Sequence, residues 1–240
     1  ASHVTCTVLP HGVQVIDVHT SSTVKSWPLR GRRPILPAAV IGSGKRLVLA
    51  CDDNSLLSWK YSEADISKGN VQKTDDAIKF LLTEPSFDGV VIVSTQGRVR
   101  AFGSDLKEEL CSTSVSLPKG KGSNIIHAEI MALEDQSGAA FVLLVVSASG
   151  QGKAVLHRTH LTGGDKDKWT MSNVHTQDMR STSGDASVAC CALHRSTRTL
   201  SVVWSTGEWQ RFKLGGSSAS GAVQEGDGEI NGFLLSAEDG

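Results

Sequence analysis

Four places in the sequence carry residue types that chemistry can use. The first is GSGKR, residues 42–46. A phosphate-cradling loop reads Gly-x-x-x-x-Gly-Lys-Ser/Thr, so that backbone N–H groups wrap the phosphates and the hydroxyl holds Mg²⁺. Here Ala39 stands at the first Gly and Arg46 at the Ser/Thr, and LVLAC follows where a helix is needed. The segment reads as a hairpin turn between two strands. The second place is the pair His157 and His160. In a strand that spacing puts them on opposite faces, which makes them poor joint ligands for a metal. They read as one core and one surface histidine. The third is STSGD, residues 181–185. Its Ser and Asp sit in a turn-like stretch, there is no Gly-x-Ser-x-Gly elbow, and a nucleophile needs a partnered base. It reads as a serine-rich turn. The chain is therefore expected to be non-catalytic, with no cofactor and no metal site.

The fourth place is basic. RGRRP carries Arg30, Arg32 and Arg33, and PKGKGS carries Lys119 and Lys121. Exposed cations on connecting loops can contact phosphate, each gaining from counterion release. Aromatic side chains are not interleaved with them, as base stacking would need. These five residues are the candidate contacts for RNA or a protein partner. The bulk charge limits how far that goes. With 24 basic against 25 acidic residues the formal net charge is -1. A global nucleic-acid grip would show a basic excess.

The elements that would position these residues are strands. Hydrophobic residues make up 39% of the chain and charged residues 20%, a composition that packs a core and argues against disorder. The longest apolar run, AAFVLLVVSA at residues 139–148, has strand length and falls short of the ~20 residues of a membrane span. No membrane contact is expected. Cys6, Cys51, Cys111, Cys190 and Cys191 are odd in number and lack Cys-x-x-Cys spacing, so they read as reduced core thiols of an intracellular protein. The chain has no initiator Met and opens almost at once into VTCTVL. It reads as a fragment beginning inside a domain.

A repeat organises the whole. HGVQVID, NSLLSWK, GRVRAFG, GKAVLHR and GEWQRFK begin at His11, Asn54, Gly97, Gly152 and Gly207, so successive starts lie 43, 43, 55 and 55 residues apart. Each segment has a turn-prone first residue, then Val13, Leu56, Val99, Ala154 or Trp209 two positions on. Ile16, Trp59, Phe102, His157 or Phe212 follows five positions on. An apolar strand precedes each segment, a more polar one follows, and a further apolar run opens the next unit. The hairpin ahead of each segment is expected to be a two-residue loop with positive φ. Four-stranded units at this period are the blades of a β-propeller. Trp27 and Trp59 read as core anchors.

The sequence therefore predicts an all-β, WD40-like β-propeller with about five blades visible, part of a larger propeller. It is expected as one domain over residues 1–240, with units near 1–30, 36–75, 77–117, 124–179 and 186–231. Residues 62–69 read as one helical turn and residues 217–228 as a mobile low-complexity loop. Missing strands are expected outside this sequence, or the first residues complete the ring.

Within this pattern, VQVIDVHTSSTVKSW, ILPAAVIGSGKRLVLACDDNSLLSWK and VIVSTQGRVRAF, between Val13 and Phe102, resemble the amino-terminal propeller of the nucleolar protein eleven family. The resemblance lies in the order of a Ser-Trp strand end, a Pro-Ala-x-Val opening, an acidic turn, a Trp-closing strand and a Gly-Arg-Val hairpin. It implies a subunit of the UtpA (t-UTP) subcomplex of the small-subunit processome, acting in pre-rRNA transcription and 18S rRNA processing in the nucleolus. It also implies other propeller and helical subunits as partners, with pre-rRNA reached directly or through the assembly. The alternative is a WD40-like adaptor outside ribosome biogenesis, in trafficking or ubiquitin ligation.

Overall fold

A computed structural model describes residues 4–29, 31–41, 45–60, 69–84, 87–117, 122–132, 139–148, 150–163, 168–214 and 223–226. Among them every regular element is a strand. The first sheet runs β1 (Val4–Leu9), β2 (Gly12–Asp17), β3 (Thr23–Pro28). The second runs β4 (Ala39–Ile41), β5 (Arg46–Ala50), β6 (Ser55–Lys60), β7 (Asn70–Lys73). The third contains β8 (Ile78–Glu84), β9 (Phe87–Ser94), β10 (Arg98–Gly103) and β11 (Glu109–Ser114). The fourth contains β12 (Ser123–Ala132), β13 (Ala139–Ala148), β14 (Lys153–Gly163) and β15 (Trp169–Arg180). The fifth contains β16 (Val188–His194), β17 (Thr199–Trp204), β18 (Trp209–Lys213) and β19 (Val223–Gly226).

Neighbours in each sheet are consecutive in sequence. The chain groups into two compact units, one of Ala1–Val115, Ala132–Phe141 and Thr159–Asn173, the other of Ser116–Met131, Val142–Arg158 and Val174–Gly240. The predicted helical turn falls outside the described residues except at Gly69. The predicted loop at 217–228 is corrected at its centre, where Val223–Gly226 pairs with β18; the rest lies outside the described residues.

Three of the five repeated hairpins share one construction. Asn54, Gly97 and Gly207 hold φ of 57°, 83° and 88°. Their amides donate to the carbonyls of Cys51, Ser94 and Trp204 at 3.1, 3.1 and 3.0 Å. The left-handed residue thus closes a four-residue turn, as in a type I turn followed by a bulge, and the expected two-residue loop is corrected at these three; the first hairpin, with Leu9 opposite Gly12, has a two-residue loop but no positive φ in it. The carbonyl of the first repeat residue then ties down the polypeptide leaving the next strand. Leu29, Thr74, Val115 and Ser181 donate to His11, Asn54, Gly97 and Gly152 at 2.8, 2.9, 2.9 and 2.9 Å.

Packing explains the two apolar positions of the repeat. They differ by three residues, so they lie on opposite faces. Val13 joins a core between the first and second sheets, Leu56 one between the second and third, and Ala154 one between the fourth and fifth. Trp59, Phe102 and Phe212 each face the preceding sheet in those same cores. Trp59 meets Trp27 edge-on, ring centroids 4.1 Å apart and planes at 70°. Ile16 and Trp209 are the terminal members of the two series and are only half-buried.

Candidate interaction surface

The basic segment after β3 is clipped to the turn between β5 and β6. Pro34 bridges Cys51 in antiparallel fashion, and the Ile35 amide donates to the Ala50 carbonyl at 2.9 Å. The Asp52 amide donates to the Arg33 carbonyl at 2.9 Å, and the Arg33 amide to Asp52 Oδ1 at 3.1 Å. Asp53 collects the nearby charge. Lys73 Nζ lies 2.6 Å and Arg32 Nε 3.7 Å from its Oδ2, while the Ser55 amide and hydroxyl donate to Oδ1. Burial alone would raise the Asp53 pKa. Hydrogen bonds from Lys73 and Ser55, with the Lys73 charge, outweigh it and hold the carboxyl at about 2.

Arg32 is therefore partly neutralised in place, whereas the Arg33 side chain is exposed and has no partner among the described residues. Arg30, Lys119 and Lys121 lie outside the described residues. The structure brings Arg32 and Arg33 together on one loop and adds Lys73 from β7 beside them. Sequence reading missed Asp53 and Lys73, which stand 20 residues apart and meet only because β7 pairs with β6. The available signal was the acidic run Asp52-Asp53 at a turn within one period of the basic loop.

The other candidates resolve into packing and turn chemistry. Gly42, Ser43 and Gly44 lie outside the described residues. The Lys45 amide donates to the Ile41 carbonyl at 3.1 Å and β5 follows, as a hairpin requires. His157 is buried on β14; burial lowers its pKa, against a hydrogen bond to the Ser116 main chain. His160 is half-buried on the opposite face. No group of three His, Cys, Asp or Glu side chains gathers among the described residues.

In the serine-rich turn, Ser181 Oγ at 2.5 Å, the Thr182 amide at 2.9 Å and Thr182 Oγ1 at 3.0 Å all donate to Glu208 Oε2. Gln210 donates to Oε1 of the same carboxylate at 2.8 Å and to the Arg180 carbonyl at 2.6 Å. Burial would raise the Glu208 pKa, but these bonds bring it below the usual value. Ser183 donates to Asp185 at 2.5 Å. The Ser181 and Thr182 hydroxyls are thus spent fastening the turn to Glu208, just before β18, and the Ser183 hydroxyl is spent within the turn. Glu208 was missed as the organising group because its partners sit 26 and 27 residues away.

These sheets, with their antiparallel order and clamped turns, are the fold of the WD40 β-propellers. Several solved structures share it. One is BBS1N in complex with ARL6DN, at 14% identity, TM-score 0.59, covering 90% of this chain and 61% of that one. Another is the WD40 domain of Toxoplasma gondii coronin, at 11% identity, TM-score 0.57, covering 90% and 53%. A third is the Cps50 (Swd1) β-propeller domain of Myceliophteria thermophila, at 15% identity, TM-score 0.54, covering 90% and 63%. The chain spans about half to three fifths of these structures. No protein-family model matches it, and no curated protein matches its sequence.

Proposed function

We propose that this chain is a non-catalytic propeller scaffold serving assembly of the small-subunit processome in the nucleolus, and through it pre-rRNA transcription and 18S processing. The WD40 fold carries the scaffold part of the reading. Stiff repeated sheets hold their loops in fixed positions, and rigidly held loops can engage several partners at once. The resemblance between Val13 and Phe102 carries the ribosomal part. Other propeller and helical subunits are the partners, with pre-rRNA nearby. Arg33 is the favoured contact of the basic loop, since Arg32 already shares Asp53 with Lys73. Arg30, Lys119 and Lys121 complete the proposed contact set.

A second reading is a protein-interaction adaptor in another complex, which the likeness to BBS1N, solved bound to ARL6DN, favours. Tagged protein purified from its native cell at near-physiological salt, with protein and RNA partners identified, separates the two. Recovery of UtpA-type propeller subunits with pre-rRNA spacer is expected. A different complex free of pre-rRNA would replace this reading with the adaptor.

A further inference from the structure

The turn after β15 ties together two hairpins of one unit. The Ser181 amide donates to the Gly152 carbonyl at 2.9 Å, and the Gly152 amide to the Ala186 carbonyl at 2.8 Å. On the other side the Ser187 amide donates to Ser205 Oγ at 3.1 Å, and the Ser205 amide to the Ser187 carbonyl at 2.7 Å. Gly152 stands just before β14 and Ser205 just after β17. At the centre of the tie is the Glu208 carboxylate, which is 9% exposed. It takes its hydrogen bonds from neutral donors on Ser181, Thr182 and Gln210. No cationic side chain pairs with it among the described residues.

The same turn offers one hydroxyl to the outside. Thr182 is exposed, whereas Ser181 and Ser183 are half-buried. The Thr182 Oγ1 bond to Glu208 Oε2 is the longest of three, 3.0 Å against 2.5 and 2.9 Å. Three positions on, Asp185 is exposed as well. A carboxylate at fixed spacing from a hydroxyl is what a kinase with a basic substrate groove reads, because charge complementarity selects the partner and fixes its register. Among the described residues one other pair has this spacing, Ser205 with Glu208. There the acid is buried and saturated with donors, so it has nothing to give a groove.

We propose that Thr182 is the phosphorylation site of an acid-directed serine/threonine kinase, and that the phosphate unlatches the turn from Glu208. In the transfer the Thr182 oxygen attacks the γ-phosphorus of ATP. The bond from that phosphorus to the β–γ bridging oxygen breaks, ADP leaves, and the hydroxyl proton passes to the kinase's base. Local opening of the turn presents the hydroxyl, and the phosphate then opposes reclosure. Oγ1 has no hydrogen left to donate. The phosphate adds a charge of about −1.5 to −2 at neutral pH beside a carboxylate that has no cation to share. The link between the two hairpins is loosened as a result. The inference stands on this turn alone and does not depend on the processome reading.

The test incubates the intact protein and ATP with an acid-directed kinase that phosphorylates the free peptide of residues 178–188, and maps the product by tandem mass spectrometry. Thr182 of the folded protein is expected to take up phosphate, and Asp185→Asn to slow the uptake at least about fivefold. Hydrogen exchange then reads the latch. Amides of residues 181–187 should exchange at least about fivefold faster after phosphorylation at pH about 7.5, and less so at pH about 5, where the phosphate carries one charge fewer. In Glu208→Gln the phosphate should change exchange less than about twofold, since the repelled charge is gone. Absence of phosphate on Thr182 of the folded protein, or equal uptake by Asp185→Asn, would overturn the site. Exchange that is unchanged by the phosphate, or accelerated equally in Glu208→Gln or at both pH values, would overturn the latch.

Discussion

Trp59 is buried between two sheets and meets Trp27 edge-on, so its removal leaves a large void that neighbouring strands cannot close. Trp59→Ala should lower unfolding free energy by about 3–5 kcal/mol, read from urea denaturation. Asp53 sets a pH dependence. Its folded pKa of about 2 lies below the ordinary 3.8, so its contribution is complete above about pH 4 and fades as pH falls through about 2. Asp53→Asn should therefore destabilise the protein at pH 5 and approach wild type below about pH 2 in urea midpoints. A gap that stays constant with pH would contradict the ion-pair assignment. The two tryptophans were legible as core anchors, Trp27 by its size and Trp59 by its size and its repeat position. Asp53 and Glu208 were not, because each is defined by partners that strand pairing brings from far along the chain.

Strand alternation makes a separate prediction. Cys190 and Cys191 are consecutive on β16 and so point to opposite faces. Cys190 is exposed, which corrects its reading as a core thiol. Burial pushes the Cys191 pKa up to about 12, suppressing the reactive thiolate. Iodoacetamide followed by mass spectrometry should modify Cys190 well before Cys191 or the buried Cys51 in the native protein. Equal rates would place β16 in a different register. At this scale the sequence revealed the hairpins themselves, since apolar runs flank each turn-prone residue. It did not reveal their turn type, because a two-residue loop and a longer bulged turn ask for the same left-handed residue.

For the whole molecule, the regular spacing of His11, Asn54, Gly97, Gly152 and Gly207 was enough to read a WD40-like fold. Each unit repeats one packing problem, and its solution leaves apolar residues at fixed offsets. The partner was less legible. Contact loops need not be apolar, and Arg32 and Arg33 look alike in sequence although only Arg32 is ion-paired. The proposed role makes the protein a holder of other molecules rather than a reagent, so hydroxyls such as Ser183 should be dispensable and loss of the whole chain should not. The most direct measurement is hybridisation to the 5′ external transcribed spacer in cells depleted of the protein and re-expressing wild type or Ser183→Ala. Accumulation of unprocessed spacer on depletion, reversed equally by both, is the predicted result. Unchanged spacer processing on depletion would contradict the processome role, and rescue by wild type alone would contradict the absence of chemistry.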